Sequence, residues 1–444
     1  MKKISRKDDL FIASLLFGLF FGAGNLIFPI YMGYLTGENT WQALFGFLLA
    51  GVGLPFLGVI AMAVSGSASV YQIASQASER FARLFTVALY LVIGPLFALP
   101  RLATASFEIG VASYFDKGQT SLALSVFSFL FFGIAYLFAR RPSRLLDYIG
   151  KILNPLFLGS LFILIVAIFL KPENSFVSGD VNVAYQSHAF FKGFLAGYNT
   201  LDALAALAFG VIISTSVKNL GIDNKKEIAR TIFRAGSIGM IGMGIVYTLL
   251  ILSGAMTNGI LSEAQNGGVI IAYLSNHYLG QWGSVLLSVI IIVACLKTAI
   301  GLVSSFANTF EALYPQVNYL NWARIASVVP MVIANFGLTA IIDGSLPVLM
   351  LIYPLAIVLI GLTLLNQKIP ISSHIFKLSL IITWLAAIPS ALLALPKSMQ
   401  SSSVIQPFIQ LGSFLPLGDF GLGWLLPAII GIVIGKILEI KNTP

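Results

Sequence analysis

The sequence predicts an all-α integral membrane protein with twelve transmembrane helices, and three observations lead to that fold class. Of the 444 residues, 58% are hydrophobic and only 10% are charged, whereas soluble domains are usually about 45–50% apolar and about 25% charged. The apolar residues fall in runs of roughly 20, the length that crosses a bilayer as a helix. Basic residues concentrate in alternate connecting segments. This pattern excludes a disordered chain, a coiled coil and a secreted globular domain.

Twelve apolar runs, bounded by polar residues or by glycine and proline, are the predicted spans. They cover 10–31, 43–64, 85–112, 121–138, 149–170, 191–217, 234–256, 282–313, 322–342, 347–365, 378–395 and 420–440. A further apolar run, Val269 to Leu274, is too short to cross a bilayer. We predict that it forms an interfacial or partly re-entrant hairpin hinged at Gly267-Gly268, with a role either as an external lid or in packing.

The basic residues predict the orientation of the chain. With the N-terminus inside, one set of connecting segments carries 20 Lys and Arg, and the opposite set carries 4. Cytoplasmic loops are enriched in Lys and Arg, so we expect a multi-pass protein of the cytoplasmic membrane with both termini in the cytoplasm. The net charge of +9 is therefore a signal of topology. No basic stripe interleaved with stacking aromatic residues indicates binding of nucleic acid.

Four ionisable residues fall inside the predicted spans: Arg101, Glu108, Asp202 and Lys297. A charge at membrane depth costs at least about 2.5 kcal/mol, so such residues are candidates for function by default. Arg101 and Glu108 are two helical turns apart on one face of the third helix. Two interpretations stay open for them, an ion pair that fixes packing or a gate beside the substrate.

The first helix carries an interruption between Gly18 and Pro29, where three glycines, an asparagine and a proline occur within twelve residues. Each glycine costs roughly 1 kcal/mol in a helix interior and proline about 3. Such a stretch persists at mid-membrane where the freed backbone groups line a cavity or meet a ligand. The alternative is close packing through small residues.

The sixth helix carries a second interruption, from Gly197 to Gly210, which is also small and polar within an apolar span. Helices one and six correspond if two five-helix repeats of inverted topology form residues 10–170 and 191–365, followed by two further helices in 378–440. Paired broken helices are the best sequence indication of a transporter site. Their half-helix N-termini can face a carboxylate, and their exposed carbonyls can hold an ammonium group or a cation.

Four segments carry a resemblance to a known family: GAGNLIFP (22–29), IGPLFALPR (93–101), GYNTLDALAA (197–206) and ACLKTAIGL (294–302). Together they resemble the branched-chain amino acid:cation symporters of bacteria, within the amino acid, polyamine and organocation transporters. The resemblance implies a LeuT-type fold, with five-plus-five inverted repeats, two additional helices, and helices one and six unwound at mid-membrane. It also implies leucine, isoleucine and valine as substrates, usually imported with Na⁺.

The resemblance also implies positions for the substrate site. The first break would bind the amine and carboxylate of the amino acid, and the second break would add carbonyls and a pocket wall. Phe21, Leu204 and Phe209 are either walls of that pocket or ordinary packing. Asp202 has three interpretations: binding the substrate ammonium, binding a cation, or capping a half-helix. The predicted substrate-binding residues are Gly22, Ala23, Gly24, Asn25, Asp202, Ala203, Leu204, Ala206 and Phe209.

The cation site implied by the resemblance departs from the family pattern at one position. Its members would be Gly18, Phe21, Ala294, Lys297 and Thr298. Lys297 stands where Na⁺-coupled relatives have a hydroxyl, and its ammonium has the charge of Na⁺ and three donors for the same carbonyls. We therefore predict that Lys297 replaces the ion and that transport is proton-coupled or independent of Na⁺. The alternative is Na⁺-coupled transport in which Lys297 is paired with Asp202 or Glu311, or reaches around the site.

Other chemistry is poorly represented in the sequence. The single cysteine, Cys295, allows no intramolecular disulfide, and the three histidines lie at predicted loop edges without partners at metal-ligand spacing. We therefore expect neither an enzyme nor a cofactor, with H⁺ or Na⁺ as the coupling ion and no metal beyond that Na⁺. The expected partners are the substrate and the lipid bilayer, and no obligatory protein partner is evident. A channel, or a carrier of the same fold for another solute, is the alternative.

Overall fold

The computed structural model describes residues 5–67, 69–116, 118–172, 180–261 and 264–442, which form helices and no strand. The first half contains α1 (Arg6–Phe20), α2 (Ala23–Thr36), α3 (Thr40–Leu48), α4 (Leu54–Ser65), α5 (Val70–Ala74), α6 (Glu79–Leu91), α7 (Ala98–Gly110), α8 (Thr120–Ala139) and α9 (Asn154–Leu170). The second half contains α10 (Ala189–Tyr198), α11 (Asp202–Asn219), α12 (Lys225–Ala255), α13 (Gly267–Leu313), α14 (Tyr319–Ile333), α15 (Leu338–Asn366), α16 (Ser373–Leu393), α17 (Lys397–Gln400), α18 (Gln406–Ser413) and α19 (Leu425–Asn442).

Three π-helical segments extend these helices without ending them. Leu49–Gly53 joins α3 to α4, Val92–Leu96 joins α6 to α7, and Leu146–Leu153 leads into α9. Gly94 within the second segment departs from helical geometry, next to Pro95, which has no backbone N–H to donate. The third predicted span is therefore bent just before Arg101.

By length and composition alone, nine helical segments of the described residues could cross a membrane. The predicted spans 322–342 and 420–440 coincide with α14, which has 15 residues, and α19, which has 18 and carries three charges. The protein is thus an all-helical, multi-pass membrane protein, and the count of twelve spans stays a prediction.

Several predicted boundaries differ from the structure, and glycines account for two of the differences. The run Val269 to Leu274 is part of α13, which Asn266 caps and which bends at Gly280 with φ of +57°. A left-handed φ is easily adopted by glycine alone, so the bend lies there and not at Gly267-Gly268. The break after α14 falls at Gly337, with φ of +86°, and not at 343–346, because apolar residues on both sides of Gly337 conceal the turn.

Glycines let the broken helices pack closely on their neighbours. A Cβ at Gly33 of α2 would lie 1.9 Å from the Ile251 carbonyl oxygen of α12, and one at Gly254 would lie 1.9 Å from the Ile30 carbonyl oxygen. The same close approach occurs between α10 and α3. A Cβ at Gly193 would lie 2.0 Å from the Ala43 carbonyl oxygen, and one at Gly46 would lie 1.9 Å from the Phe190 carbonyl oxygen. Small residues are the usual means of close helix contact in membranes. These contacts fix α2 and α10, the helices on which the two interruptions border.

Candidate substrate and cation site

The first interruption separates α1 from α2. Phe21 and Gly22 are extended, with φ of −78° and −108°, and the N–H of Gly22 donates to Asn25 Oδ1 at 3.0 Å. A continued helix would direct that N–H to the carbonyl of Gly18. The side chain of Asn25 thus stabilises the break and leaves the Gly18 oxygen free to bind another donor.

The second interruption separates α10 from α11. Leu201 adopts a left-handed conformation with φ of +66°, which is unusual for a residue with a branched side chain. Thr200 supports the turn on both sides, because its hydroxyl donates to the Gly197 oxygen at 2.8 Å and accepts from the N–H of Asp202 at 3.4 Å. The carbonyl of Asn199 is left outside both helices.

Lys297 reaches the first interruption from α13. Its Nζ donates to the Gly18 oxygen at 3.1 Å and to the Phe21 oxygen at 2.8 Å, and its side chain is fully buried. The Phe157 ring lies 4.4 Å from Nζ and offers a cation–π contact. No ion pair in the described part of the chain includes Lys297, and Glu311 instead accepts from the N–H of Tyr319. The pairing with Asp202 or Glu311, one form of the alternative interpretation, is therefore absent among the described residues.

The other predicted members of the cation site adjoin Lys297. The Thr298 hydroxyl lies 3.4 Å from the Gly18 oxygen, and Ala294 is fully buried one turn earlier on α13. The ring of Phe21 stacks on Phe17 with centroids 5.1 Å apart. Phe21 thus contributes its carbonyl to Lys297 and its ring to packing.

Asp202 joins the two interruptions. Its Oδ2 accepts from Asn25 Nδ2 at 2.7 Å and from the Tyr247 hydroxyl at 2.6 Å, and Asn25 Nδ2 also contacts that hydroxyl. Asp202 is the first residue of α11, but these bonds go to side chains of other helices, so capping is not its principal role. Tyr247 was missed by sequence reasoning because it lies within a regular apolar span. A buried tyrosine hydroxyl needs a polar partner, and this requirement is the one feature of the sequence that could have indicated Tyr247.

Arg101 and Glu108 do not pair with each other. Arg101 Nη1 donates to the Asn199 oxygen at 3.0 Å, and Glu108 Oε1 accepts from the N–H of Leu338 at 3.1 Å. Of the two interpretations that the sequence left open, the ion pair is therefore absent, and the gate stays a prediction. Glu108 thus accepts a hydrogen bond from the backbone at the start of α15, whereas Arg101 donates one to the backbone of the second interruption.

A cavity of about 30 Å³ lies between the two interruptions, which is roughly the volume that one water molecule occupies in the liquid. Of the predicted substrate residues, Gly22, Ala23, Gly24, Asn25, Asp202 and Phe209 line it. Ala203, Leu204 and Ala206 do not. Asp202, Ala205 and Phe209 share one face of α11 through their i, i+3, i+7 spacing, which turns Ala203 and Leu204 away, whereas Ala206 packs against Gly58 of α4. The lining that sequence reasoning missed is mostly apolar: Leu19, Phe20, Ile93, Ala98, Leu102, Thr200, Leu201, Ala205 and Leu302.

The arrangement is a narrow, largely apolar cavity bordered by both helix interruptions, and it must widen to hold an amino acid. Among the described residues, no group of three His, Cys, Asp or Glu side chains could hold a metal ion. The amino-acid sequence matches the family described as "Branched-chain amino acid transport protein" over residues 5–442. The chain belongs to this family. The resemblance predicted from the four sequence segments is thereby confirmed.

Relatives in this family match along almost their whole length. A branched-chain amino acid permease BrnQ of Lactobacillus delbrueckii subsp. lactis is 40% identical, covering 99% of this chain and 98% of the relative. A permease BrnQ of Bacillus subtilis is 39% identical, covering 100% and 99%. The corresponding Escherichia coli permease is 34% identical, covering 98% and 97%. These relatives are named as permeases, and none is named as an enzyme.

Two solved structures share the fold of this branched-chain amino acid transport family member. One is Mhp1, a nucleobase-cation-symport-1 family transporter with bromovinylhydantoin bound, with a TM-score of 0.63 over 98% of this chain and 93% of that chain. The other is MhsT in complex with L-phenylalanine, with a TM-score of 0.54 over 98% of each chain. Both are 13% identical in sequence, so they support the fold alone.

Proposed function

We propose that the protein is a secondary active transporter that imports leucine, isoleucine and valine across the cytoplasmic membrane by alternating access. The observation that carries the proposal is that two interrupted helices meet at one cavity in a member of this family. Interrupted helices supply free backbone donors and acceptors at membrane depth, which can bind the charged ends of a substrate. The names of the relatives support the substrate class.

The cavity is lined for an amino acid with a branched apolar side chain, which it would admit once the two breaks move apart. Its two breaks offer polar backbone to the ammonium and carboxylate, and Phe209, Leu102 and Leu302 offer apolar walls. A polar side chain buried against those walls would lose hydrogen bonds to water without replacement. The chamber therefore favours leucine, isoleucine and valine over serine or a nucleobase.

We further propose that the Lys297 ammonium takes the place of a coupling sodium ion. Its contacts with the Gly18 and Phe21 carbonyls support this, since a cation supplied by the chain would exclude a second one from the same oxygens. Transport would then be driven by protons or proceed without Na⁺. The contact of Thr298 with Gly18 favours one second candidate, Na⁺ symport with the ion bound beside the lysine.

The proposed transport cycle uses the two breaks as hinges. The halves α2 and α10 would move relative to α1 and α11, alternately opening the cavity to each side. This proposal includes the finer predictions of twelve spans, inverted repeats at 10–170 and 191–365, helices at 378–440 and both termini in the cytoplasm.

The test is isoleucine uptake by the purified protein in proteoliposomes, under an imposed Na⁺ gradient and, separately, an imposed pH gradient. Leucine, isoleucine and valine should compete, and serine and uracil should not. Uptake should not respond to Na⁺ in the unaltered protein, whereas Lys297→Thr should become Na⁺-stimulated because the substitution restores a hydroxyl and vacates the carbonyls.

Lys377→Thr is the matched control, since Lys377 is exposed on α16 and the chemical change is the same. It should leave uptake and its independence of Na⁺ unaltered. Strong stimulation of the unaltered protein by Na⁺ alone would exclude the role proposed for Lys297 and leave the Na⁺ symporter. Competition by uracil but not by leucine would exclude the proposed substrates.

A further inference from the structure

Arg101 presents an incompletely satisfied positive charge to the cavity. Its side chain lines the cavity and is only 7% exposed. Among the described residues, the only hydrogen-bond acceptor of the guanidinium is the Asn199 oxygen, and Nε has no partner. A guanidinium has five N–H donors and stays charged, so most of its binding capacity is unused.

Nothing in the described protein neutralises this charge directly. Arg101 belongs to no ion pair with any residue that the structure describes, and the nearby carboxylate of Asp202 is bound by Asn25 and Tyr247 through Oδ2. Leaving a buried charge unpaired is costly, and buried charges are normally paired or coordinated. The second cation, Lys297, is already held by two carbonyls. The balance of charge around the cavity therefore favours an anionic group of the substrate next to Arg101.

The surroundings of the guanidinium orient it for such a group. Its Cζ lies 5.5 Å from the centroid of the Phe28 ring, and a Cβ added to Gly24 would lie 3.1 Å from Nη2. Because Gly24 has no side chain, the guanidinium reaches the first turn of α2. The first N–H groups of a helix have no partner within the helix and carry partial positive charge. Two sources of positive potential, the guanidinium and the start of α2, thus converge on one side of the cavity.

We propose that Arg101 binds the carboxylate of the amino acid substrate, with the N-terminal turn of α2 on the other side of that carboxylate. The inference rests on the proposed function and adds a specific binding residue to it. Arginine is suited to this role because its planar fork matches a carboxylate with two parallel hydrogen bonds. The assignment predicts that the protein selects α-amino acids by their carboxylate and binds the corresponding amides and amines weakly.

The test is inhibition of leucine binding to purified protein by three ligands: leucine, leucinamide and isopentylamine. The unaltered protein should prefer leucine to leucinamide by at least about 30-fold. This factor corresponds to the smallest usual loss of binding when one partner of a buried charge pair is removed. Arg101→Gln should weaken leucine by a similar factor while changing leucinamide by less than about threefold. Arg101→Lys should recover part of the preference, since it restores charge without the planar fork.

Arg83→Gln is the matched control, because Arg83 is exposed on α6, the helix that leads into α7. It should keep the full preference for leucine. A merely structural role for Arg101 would lower the binding of leucine and leucinamide equally, and that result would overturn the proposal. If Arg101→Gln does not fold, equal binding of leucine and leucinamide by the unaltered protein would overturn it instead. Failure of the unaltered protein to bind leucine at all would contradict the proposed function, which separates the two conclusions.

Discussion

The two helix interruptions are each held by a cation of the chain, but only one of these cations faces the cavity. At the first interruption, Lys297 is fully buried against the Gly18 and Phe21 carbonyls and does not line the cavity. At the second, Arg101 contacts the Asn199 carbonyl and does line it. At the first break the Lys297 ammonium occupies the carbonyl oxygens. At the second break the Arg101 guanidinium still borders the cavity, where a ligand can reach it. The carbonyls that hold Lys297 and the cavity that Arg101 lines are therefore neighbours, and Thr298 borders both.

Asn25 links the two helix interruptions. Its Oδ1 accepts from Gly22 at the first break, and its Nδ2 donates to Asp202 at the second. Tyr247 adds a second donor to the same carboxylate oxygen. A change in the position of one break must therefore rearrange the bonds of the other, which is a physical route for coupling occupancy of the cavity to movement of α1 and α2.

Removing this link should have the largest effect on transport. Asp202→Ala leaves Asn25 Nδ2 and the Tyr247 hydroxyl without their shared acceptor, at a cost of about 1–3 kcal/mol for each unsatisfied group. We expect isoleucine uptake to fall by about 100-fold or more. Tyr247→Phe, which removes one donor and keeps the carboxylate, should lower uptake by about tenfold. Uptake by Asp202→Ala within a few-fold of the unaltered protein would show that the two breaks act independently.

The stability of the folded protein should become dependent on Na⁺ when Lys297 is replaced by a shorter residue. In Lys297→Thr the Gly18 and Phe21 carbonyls lose their ammonium donor, so binding of Na⁺ to the folded protein should stabilise it by about 2.7 kcal/mol at 100 times the dissociation constant. The measurement is the thermal unfolding temperature in NaCl against equal choline chloride. The unaltered protein and Lys377→Thr should show no difference between the two salts. An equal shift in all three would mean that Na⁺ binds elsewhere.

The sequence could predict functional positions where a residue type is unusual for an apolar span, and it could not predict them where the residue type is ordinary. Helix-breaking residues at Gly22 and a lysine at 297 are conspicuous in such spans, so the sequence could indicate both interruptions and the contact of Lys297 with the first of them. Tyr247 is compatible with an ordinary helix, and its role depends on a contact with Asp202 that is 45 residues away in the chain.

The rotation of α11 was equally hidden in the sequence. Apart from Asp202, the α11 residues that line the cavity and those that do not are small or apolar, so residue type does not distinguish them. Leu201 begins the helix in a left-handed conformation that no propensity predicts for leucine. Of the residues predicted for the pocket wall on α11, Asp202 and Phe209 line the cavity, and Ala203, Leu204 and Ala206 do not.

The smallest expected effect concerns Glu108, which the sequence paired with Arg101. If Glu108 only satisfies the N–H of Leu338 at the start of α15, Glu108→Ala should lower stability by about 1 kcal/mol, as for the loss of a helix cap, and change isoleucine uptake by less than about threefold. Glu108→Gln, whose amide oxygen can still accept that bond, should restore the unfolding temperature. A loss of uptake in both variants without a loss of stability would instead identify a gate at Glu108, and the two interruptions would then not be the only moving parts near the cavity.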